Sequence, residues 1–294
     1  MAEMMQLIKQ LNQVKQEQLN KKAIKQANAR KAILYVFMLL FAVFFLYPMF
    51  FVVINSFRPN ADIIKNPLGL PVKLFFGNYV QAWKELEFPK VFLNTLFITV
   101  GGLAGIIFTS SMCAYMLART NSKLSWMLYV FFAMALVIPF QIIMVPVGVL
   151  AADLHLMSVP GIIPMYWGLG CPTAIFMFHG FVKSIPKELE ESASIDGAGR
   201  FKTFFVIILP MMKTIIATIA VIDALWLWND FLLPLIVIKD GTIQLAQMRF
   251  NGQFLKEYGP MTASLTISSI PIIAFYLFLQ KYIIRGIAAG AVKG

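Results

Sequence analysis

The chain is poor in charge and in groups that do chemistry. Of its 294 residues only 13% are Asp, Glu, Lys or Arg, with two cysteines and two histidines. Cys113 and Cys171 both lie inside apolar runs, which excludes a disulfide framework and a CxxC metal signature and leaves buried free thiols. His155 and His179 have no paired base or nucleophile and are read as structural, which makes a membrane-embedded hydrolase the weakest of the function classes. No GxxxxGK[ST] loop is present to cradle phosphates, so nothing suggests that the chain hydrolyses ATP itself. What it does have is apolar surface: 59% of the residues are hydrophobic, with a mean hydropathy of +0.75, far from the balance of a soluble domain.

A bilayer core needs roughly 20 consecutive apolar residues per helix. The sequence predicts an all-α integral membrane protein with six transmembrane helices. The spans are Ala32 to Asn55, Val91 to Ala118, Leu124 to Val149, Gly161 to Val182, Thr203 to about Asn229, and Met261 to Ile284. Pro48 is expected to kink the first and Pro139 to break the third, while Gly101, Gly102 and Gly105 let neighbours approach the second closely. The apolar run from Thr203 to Ile238 is too long for one straight span, so its end should be re-entrant or interfacial.

The formal charge of +11, from 25 Lys and Arg against 14 Asp and Glu, would suggest nucleic acid in a soluble protein. Here it fits topology. With the N-terminus inside, Lys and Arg show about a twofold bias to the inner segments, which places both termini in the cytoplasm. Residues 1–31 carry Leu7, Leu11 and Val14 at helical spacing before a basic run, as in a basic amphipathic extension lying on an anionic leaflet, with a disordered basic tail as the alternative. They are too polar for a secretory signal, so the first span should stay in the mature protein. Residues 32–294 form the transmembrane domain.

The same topology puts an acidic stretch, "ELEESASIDGAGRF" from Glu188 to Phe201, in the cytoplasm. Pro186 suits a helix's first turn, Glu188, Glu190 and Glu191 suit the positive end of its dipole, and Gly197 and Gly199 allow a sharp turn after it. Ser192 and Ala193 leave the short helix slim enough to seat in a groove. On charge alone it could equally be a solvated loop. A metal site is disfavoured, because the three glutamates cannot share one helix face.

"ESASIDGAGRFKTFFVIILP", Glu191 to Pro210, resembles the EAA loop of binding-protein-dependent ABC importer permeases: Glu-Ala-Ala, three residues, Gly, nine residues, Ile-x-Leu-Pro. Glu191, Ala193, Gly197, Ile207, Leu209 and Pro210 are in register, and Ser192 replaces the first Ala. "WNDFLLPLIV" (Trp228 to Val237) and "RGIAAGAVKG" (Arg285 to Gly294) resemble segments of the carbohydrate branch, and the smaller maltose-type permease is the most similar type.

The resemblance implies a permease of the bacterial or archaeal plasma membrane that forms half of a sugar pathway. Its partners would be a second permease, two ATPase subunits holding the ATP and Mg, an extracytoplasmic sugar-binding protein, the sugar and membrane lipid, with no nucleic acid. The coupling loop is 186–210. Within it Glu191 would anchor by polar contacts, Ala193 would pack closely in the ATPase cleft and Gly197 would make the turn, with Ser192 and Asp196 beside them and Pro210 at the loop-to-helix junction. The segment Lys239 to Pro260 could meet the binding protein near Gln253, and the tail could meet the ATPase near Val292.

Polar groups inside spans point to a pathway because each is expensive in hydrocarbon. Gln141, Asp223, Trp226 and Asn229 are the candidates, along with Asn94, Lys213 and Trp228, for all of which helix packing or interface anchoring is the competing reading. The alternative function is a secondary transporter driven by an ion gradient, which would favour inverted repeats and midplane ionisable residues. Asp223 alone gives that thin support.

Overall fold

The computed structural model describes the backbone of residues 2–250 and 257–291 and the side chains of residues 28, 30–250 and 257–280. Among the described residues all regular structure is helical: α1 (Ala2–Ser56), α2 (Asn60–Lys65), α3 (Gly77–Glu85), α4 (Phe88–Arg119), α5 (Lys123–Ala135), α6 (Phe140–Asp153), α7 (Ile162–Lys183), α8 (Glu188–Ile195) and α9 (Arg200–Thr203). A π-turn (Phe204–Ile208) leads to α10 (Leu209–Met211), followed by α11 (Lys213–Asn229), α12 (Leu232–Val237), α13 (Ile243–Ala246), a 3-10 turn (Gln247–Phe250) and α14 (Tyr258–Ala291).

Three helices are long and apolar enough to cross a membrane: Arg30–Ser56 within α1, α4, and Tyr258–Gln280 within α14. Two bent pairs pass together, α5 with α6 at 104° and Arg200–Met211 with α11 at 74°, giving up to five spans. Both bends have a chemical cause. Pro139 caps α6 in an extended conformation, and Pro210 cannot donate to the turn before it, where the ladder has already slackened into the π-turn. The fourth expected span, α7, has the length, at 22 residues, but its glycines, Pro172 and His179 dilute its apolar character. It is instead largely enclosed by protein, with Tyr166 and Phe178 fully buried.

The chain divides into two compact units, Met1–Ile54 and Asn55–Gly294. The first is the continuous helix α1, which runs through Pro48 without ending. Its side chains from Ile33 to Phe50 are exposed, as expected for a lipid-facing span. The amphipathic pattern expected over residues 1–31 depends on side chains that lie outside the described residues.

In the second unit α4, α7 and α11 enclose the main core around Ile106, Tyr166, Ile175, Phe178, Ile219 and Leu227. The expected close approach along α4 occurs at Gly105. A Cβ there would lie 1.9 Å from Nε1 of Trp167, whose indole N–H donates to the Gly101 carbonyl at 2.9 Å. His179 stacks on Tyr129 with ring centres 3.9 Å apart, tying α7 to α5. Cys113 and Cys171 are free but only half-buried, a correction to full burial; the Ser110 hydroxyl donates to Cys171 Sγ at 3.3 Å. A smaller outer cluster, with Leu86, Phe88, Trp228, Ile243 and Phe250, sits beneath the segment after α11.

Gly105→Val should push the Trp167 indole off α4 and destabilise the α4–α7 contact by about 1–3 kcal/mol. A thermal melt of the detergent-purified protein should shift down by several degrees, whereas Gly180→Val, at a position with open space around it, should leave the melt unchanged.

Candidate coupling site

The acidic stretch folds as a helix and a turn. Helix α8 opens after Lys187, whose carbonyl accepts the N–H groups of Glu190 (2.9 Å) and Glu191 (3.1 Å). It closes with a reciprocal pair: Gly197 N–H donates to the Ser194 carbonyl at 3.1 Å, and Ala198 N–H donates to the Ala193 carbonyl at 2.9 Å. This is the Schellman arrangement, which needs a left-handed residue one past the cap. Gly197 supplies it with φ of +76°.

Helical spacing then sorts the side chains. Glu188, Glu191, Ser192 and Ile195 recur at i, i+3, i+4 and i+7, and all four are exposed. Ile195, at the last position of the helix, is 88% exposed, against 39% for Leu189. The Ser192 hydroxyl donates back to the Glu188 carbonyl at 2.8 Å, so the one departure from the EAA pattern keeps its polar group within the helix. Asp196 is exposed at the cap.

The opposite face looks into the chain. Ala193 is 6% exposed, so the close packing expected of it is made, within this chain, against its own neighbours. Glu190 turns inward as well. Its carboxylate accepts Tyr115 Oη–H at 2.8 Å on one oxygen and Arg119 Nε–H at 2.6 Å on the other. Arg119 also donates to the Ile185 carbonyl at 2.9 Å, so the ends of α4 and α7 and the first turn of α8 meet at one guanidinium. Sequence reasoning missed this cluster; an Arg at the inner end of one span and an acid beside the loop were visible, but nothing in the pattern pairs them. The glutamates therefore do not converge: Glu188 and Glu191 face outward and Glu190 faces the spans.

Pro210 lies inside α10 at the bend, with Lys213 exposed three residues on, at the start of α11. The pathway candidates separate. Trp228 is 3% exposed and donates its indole N–H to the Ser268 carbonyl at 3.2 Å, so its faces are covered. Trp226 is partly exposed, edge-on to Tyr166 with centres 5.5 Å apart, and Tyr166 donates to Asp230 at 2.8 Å. Asn229 is exposed and donates to the Leu225 carbonyl at 2.8 Å. With Ile222 and Leu225, Trp226 and Asn229 form one exposed stripe of α11. Asp223 is buried, with Oδ2 lacking a hydrogen-bond partner, and Gln141 is exposed in the first turn of α6, so neither shares that stripe.

At the N-terminal end of α4, Asn94 donates to the Gly241 carbonyl at 2.9 Å and Thr95 Oγ1 accepts Ile243 N–H at 3.0 Å. Arg249 donates to the Glu85 carbonyl and to Asp240, each at 2.8 Å. Partial burial would raise the Asp240 carboxyl, but the Gly241 N–H and Arg249 outweigh it and hold the carboxyl below its ordinary range. Gln253 and Val292 lie outside the described residues.

A family model described as the binding-protein-dependent transport system inner membrane component matches residues 101–289. The chain belongs to this family. Among its relatives, a probable starch degradation products transport system permease protein, AmyC, of Thermoanaerobacterium thermosulfurigenes is 35% identical over 92% of this chain and all of its own length. The multiple sugar-binding transport system permease protein MsmG of Streptococcus mutans is 35% identical over 88% of this chain and 96% of its own. The crystal structure of a bacterial ABC transporter involved in the import of the acidic polysaccharide alginate contains a chain with the same fold, at a TM-score of 0.75 and 22% identity, covering 85% of this chain and 95% of that one. The matched region includes α8 and its glycine turn.

Because Gly197 is left-handed with open space around it, the strain of a substitution there comes from backbone alone. Gly197→Val should destabilise the turn by about 1–2 kcal/mol, and Gly197→Asn by less, because Asn tolerates that region. Protease cleavage between α8 and α9 should accelerate in that order.

Proposed function

We propose that this family member is one permease subunit of an ATP-driven oligosaccharide importer and forms half of its translocation pathway. The observation that carries the reading is the outward face of α8: two acids, a small residue and an exposed isoleucine, set on a short helix with a glycine-built return. Such a face suits a groove with basic and apolar walls.

In this reading residues 32–294 are the transmembrane domain, with six spans and both termini in the cytoplasm, and residues 1–31 are a cytoplasmic extension. The bent pairs each count as one span, α7 is the further span, enclosed by protein rather than lipid, and α12–α13 form an outer re-entrant segment. A second permease completes the pathway, and two ATPase subunits hold the ATP and Mg and receive α8. Glu191 anchors there by charge, Ser192 keeps the face slim, Asp196 and Gly197 end the helix, and Pro210 marks the junction with the fifth span. An extracytoplasmic binding protein delivers the sugar. The names of the relatives support an oligosaccharide: starch degradation products for AmyC, and melibiose, raffinose and stachyose for MelC of Bacillus subtilis, which is 32% identical. The exposed Trp226 and Asn229 are the pathway residues suited to a sugar, through ring stacking and hydrogen bonding. An ion-gradient carrier is set aside, because the family is that of binding-protein-dependent transport systems.

The test is uptake of labelled maltodextrins, raffinose and stachyose by the importer in liposomes. At least one should enter only with ATP inside and binding protein outside, and Glu191→Lys should cut that uptake at least about tenfold by placing like charges together at the groove. Uptake that followed a proton or sodium gradient instead of ATP would sink the reading.

A further inference from the structure

We propose that Glu190 is a positioning residue, and that its cluster with Tyr115 and Arg119 is the joint through which movement of α8 reaches α4. The inference rests on the coupling role of α8 argued above and names a part of the device that the EAA pattern does not contain.

Three observations carry it. Among the described residues, Glu190 makes every side-chain hydrogen bond that leaves α8: the other hydroxyl bond from this helix, at Ser192, returns to the helix itself. Each carboxylate oxygen has its own donor, and the joint is shielded, with side-chain exposures of 11% for Arg119 and 17% for Glu190. Charge-assisted bonds in such a setting are short, directional and costly to leave half-made. Arg119 also grips the Ile185 carbonyl, so α8 cannot swing at the Ser184–Lys187 connection without disturbing the end of α4.

The two ends of α8 differ in kind. Its C-terminal side leads into Gly197 and Gly199, around which nothing lies close enough to touch an added Cβ, so the turn there has room around it. Its N-terminal side is tied by charge to a helix of 32 residues, about 48 Å long at 1.5 Å per residue. At the far end of that helix, Asn94 and Thr95 hold the outer segment at Gly241 and Ile243. A push on α8 is thereby delivered along α4 to the outer mouth, while the glycine turn absorbs the slack toward α9.

The experiment uses the assembled importer in liposomes, with Cys113 and Cys171 changed to serine and a reporter cysteine at Leu96, on the exposed outer face of α4. Its labelling by a membrane-impermeant maleimide is compared without nucleotide and with ATP plus vanadate. The unaltered joint should give a several-fold change in labelling rate on trapping. Glu190→Ala and Arg119→Ala should flatten that change to less than about twofold while the ATPase subunits still co-purify, and Tyr115→Phe should reduce it in part. A second arm guards against misfolding. Tyr115→Cys with Glu190→Cys, in the serine background but without the reporter, should lose nucleotide-dependent protection of the outer segment from protease, and a short bifunctional thiol reagent bridging the pair should restore it. A full-sized change in both alanine variants, failure of the bridge to restore the response, or loss of the ATPase subunits on Glu190→Ala would overturn the proposal. No nucleotide response in the unaltered importer would instead overturn the coupling role on which it rests.

Discussion

One carboxylate ties α8 to the end of α4. Glu190 is partly shielded between a phenol and a guanidinium, and removing the Arg119 guanidinium would leave its charge without a counter-ion there. Its inward turn fixes the rotation of α8, and that rotation decides which residues the helix shows outward. Were α8 rotated by half a turn, Glu191 and Ile195 would be covered and Ala193 would face solvent. The pairing of Arg119 with Glu190 is thus upstream of any docking chemistry that the outward face performs.

Helix α4 carries three kinds of contact along its length. Its N-terminal end is hydrogen-bonded to the segment after α11, its middle is pressed against Trp167 at Gly105, and its C-terminal end carries the charged joint. Each of these contacts uses a different property: amide and hydroxyl hydrogen bonding at one end, the absence of a side chain in the middle, and charge at the other end. That order suits a helix that crosses a membrane, because unpaired polar groups are tolerated only where water or protein can satisfy them.

What the sequence made legible was local. The Schellman turn could be read from a glycine at the right offset from a run of helix formers, and the split of Glu188 and Glu191 from Glu190 follows from the 3.6-residue period alone. Pro139 announced that the third expected span would break, whereas Pro210 read only as the junction before the fifth, and a missing N–H does not by itself set the 104° and 74° angles. The Tyr115–Glu190 and Arg119–Glu190 contacts span 75 and 71 residues of chain, where a single sequence carries no register to pair them. The two tryptophans of "WLWN" looked equivalent as sugar platforms. Their neighbours decide otherwise: Trp228 is packed against α14, and Trp226 keeps one side open.

That open side bears on where the substrate would run. Ile222, Leu225, Trp226 and Asn229 occupy a single stripe of α11 left uncovered by the rest of the second unit. A stripe of Ile, Leu and Trp would rest comfortably against lipid. Asn229 would not, because one amide hydrogen bond to Leu225 leaves its carbonyl oxygen unserved, and an unserved amide in hydrocarbon costs several kcal/mol by cyclohexane-type transfer and about 1–3 by protein mutation. A stripe that is apolar toward its inner end and amide-tipped toward its outer end suits a seam with a second membrane subunit, or a wet passage beside it, better than the bilayer. Of the polar residues that first drew attention inside the spans, Asn94 is committed to the Gly241 carbonyl and Asp223 is sealed among helices. Of the others, Gln141, Lys213, Trp226 and Asn229 remain exposed, and only Trp226 and Asn229 share one turn of helix, with a ring beside an amide.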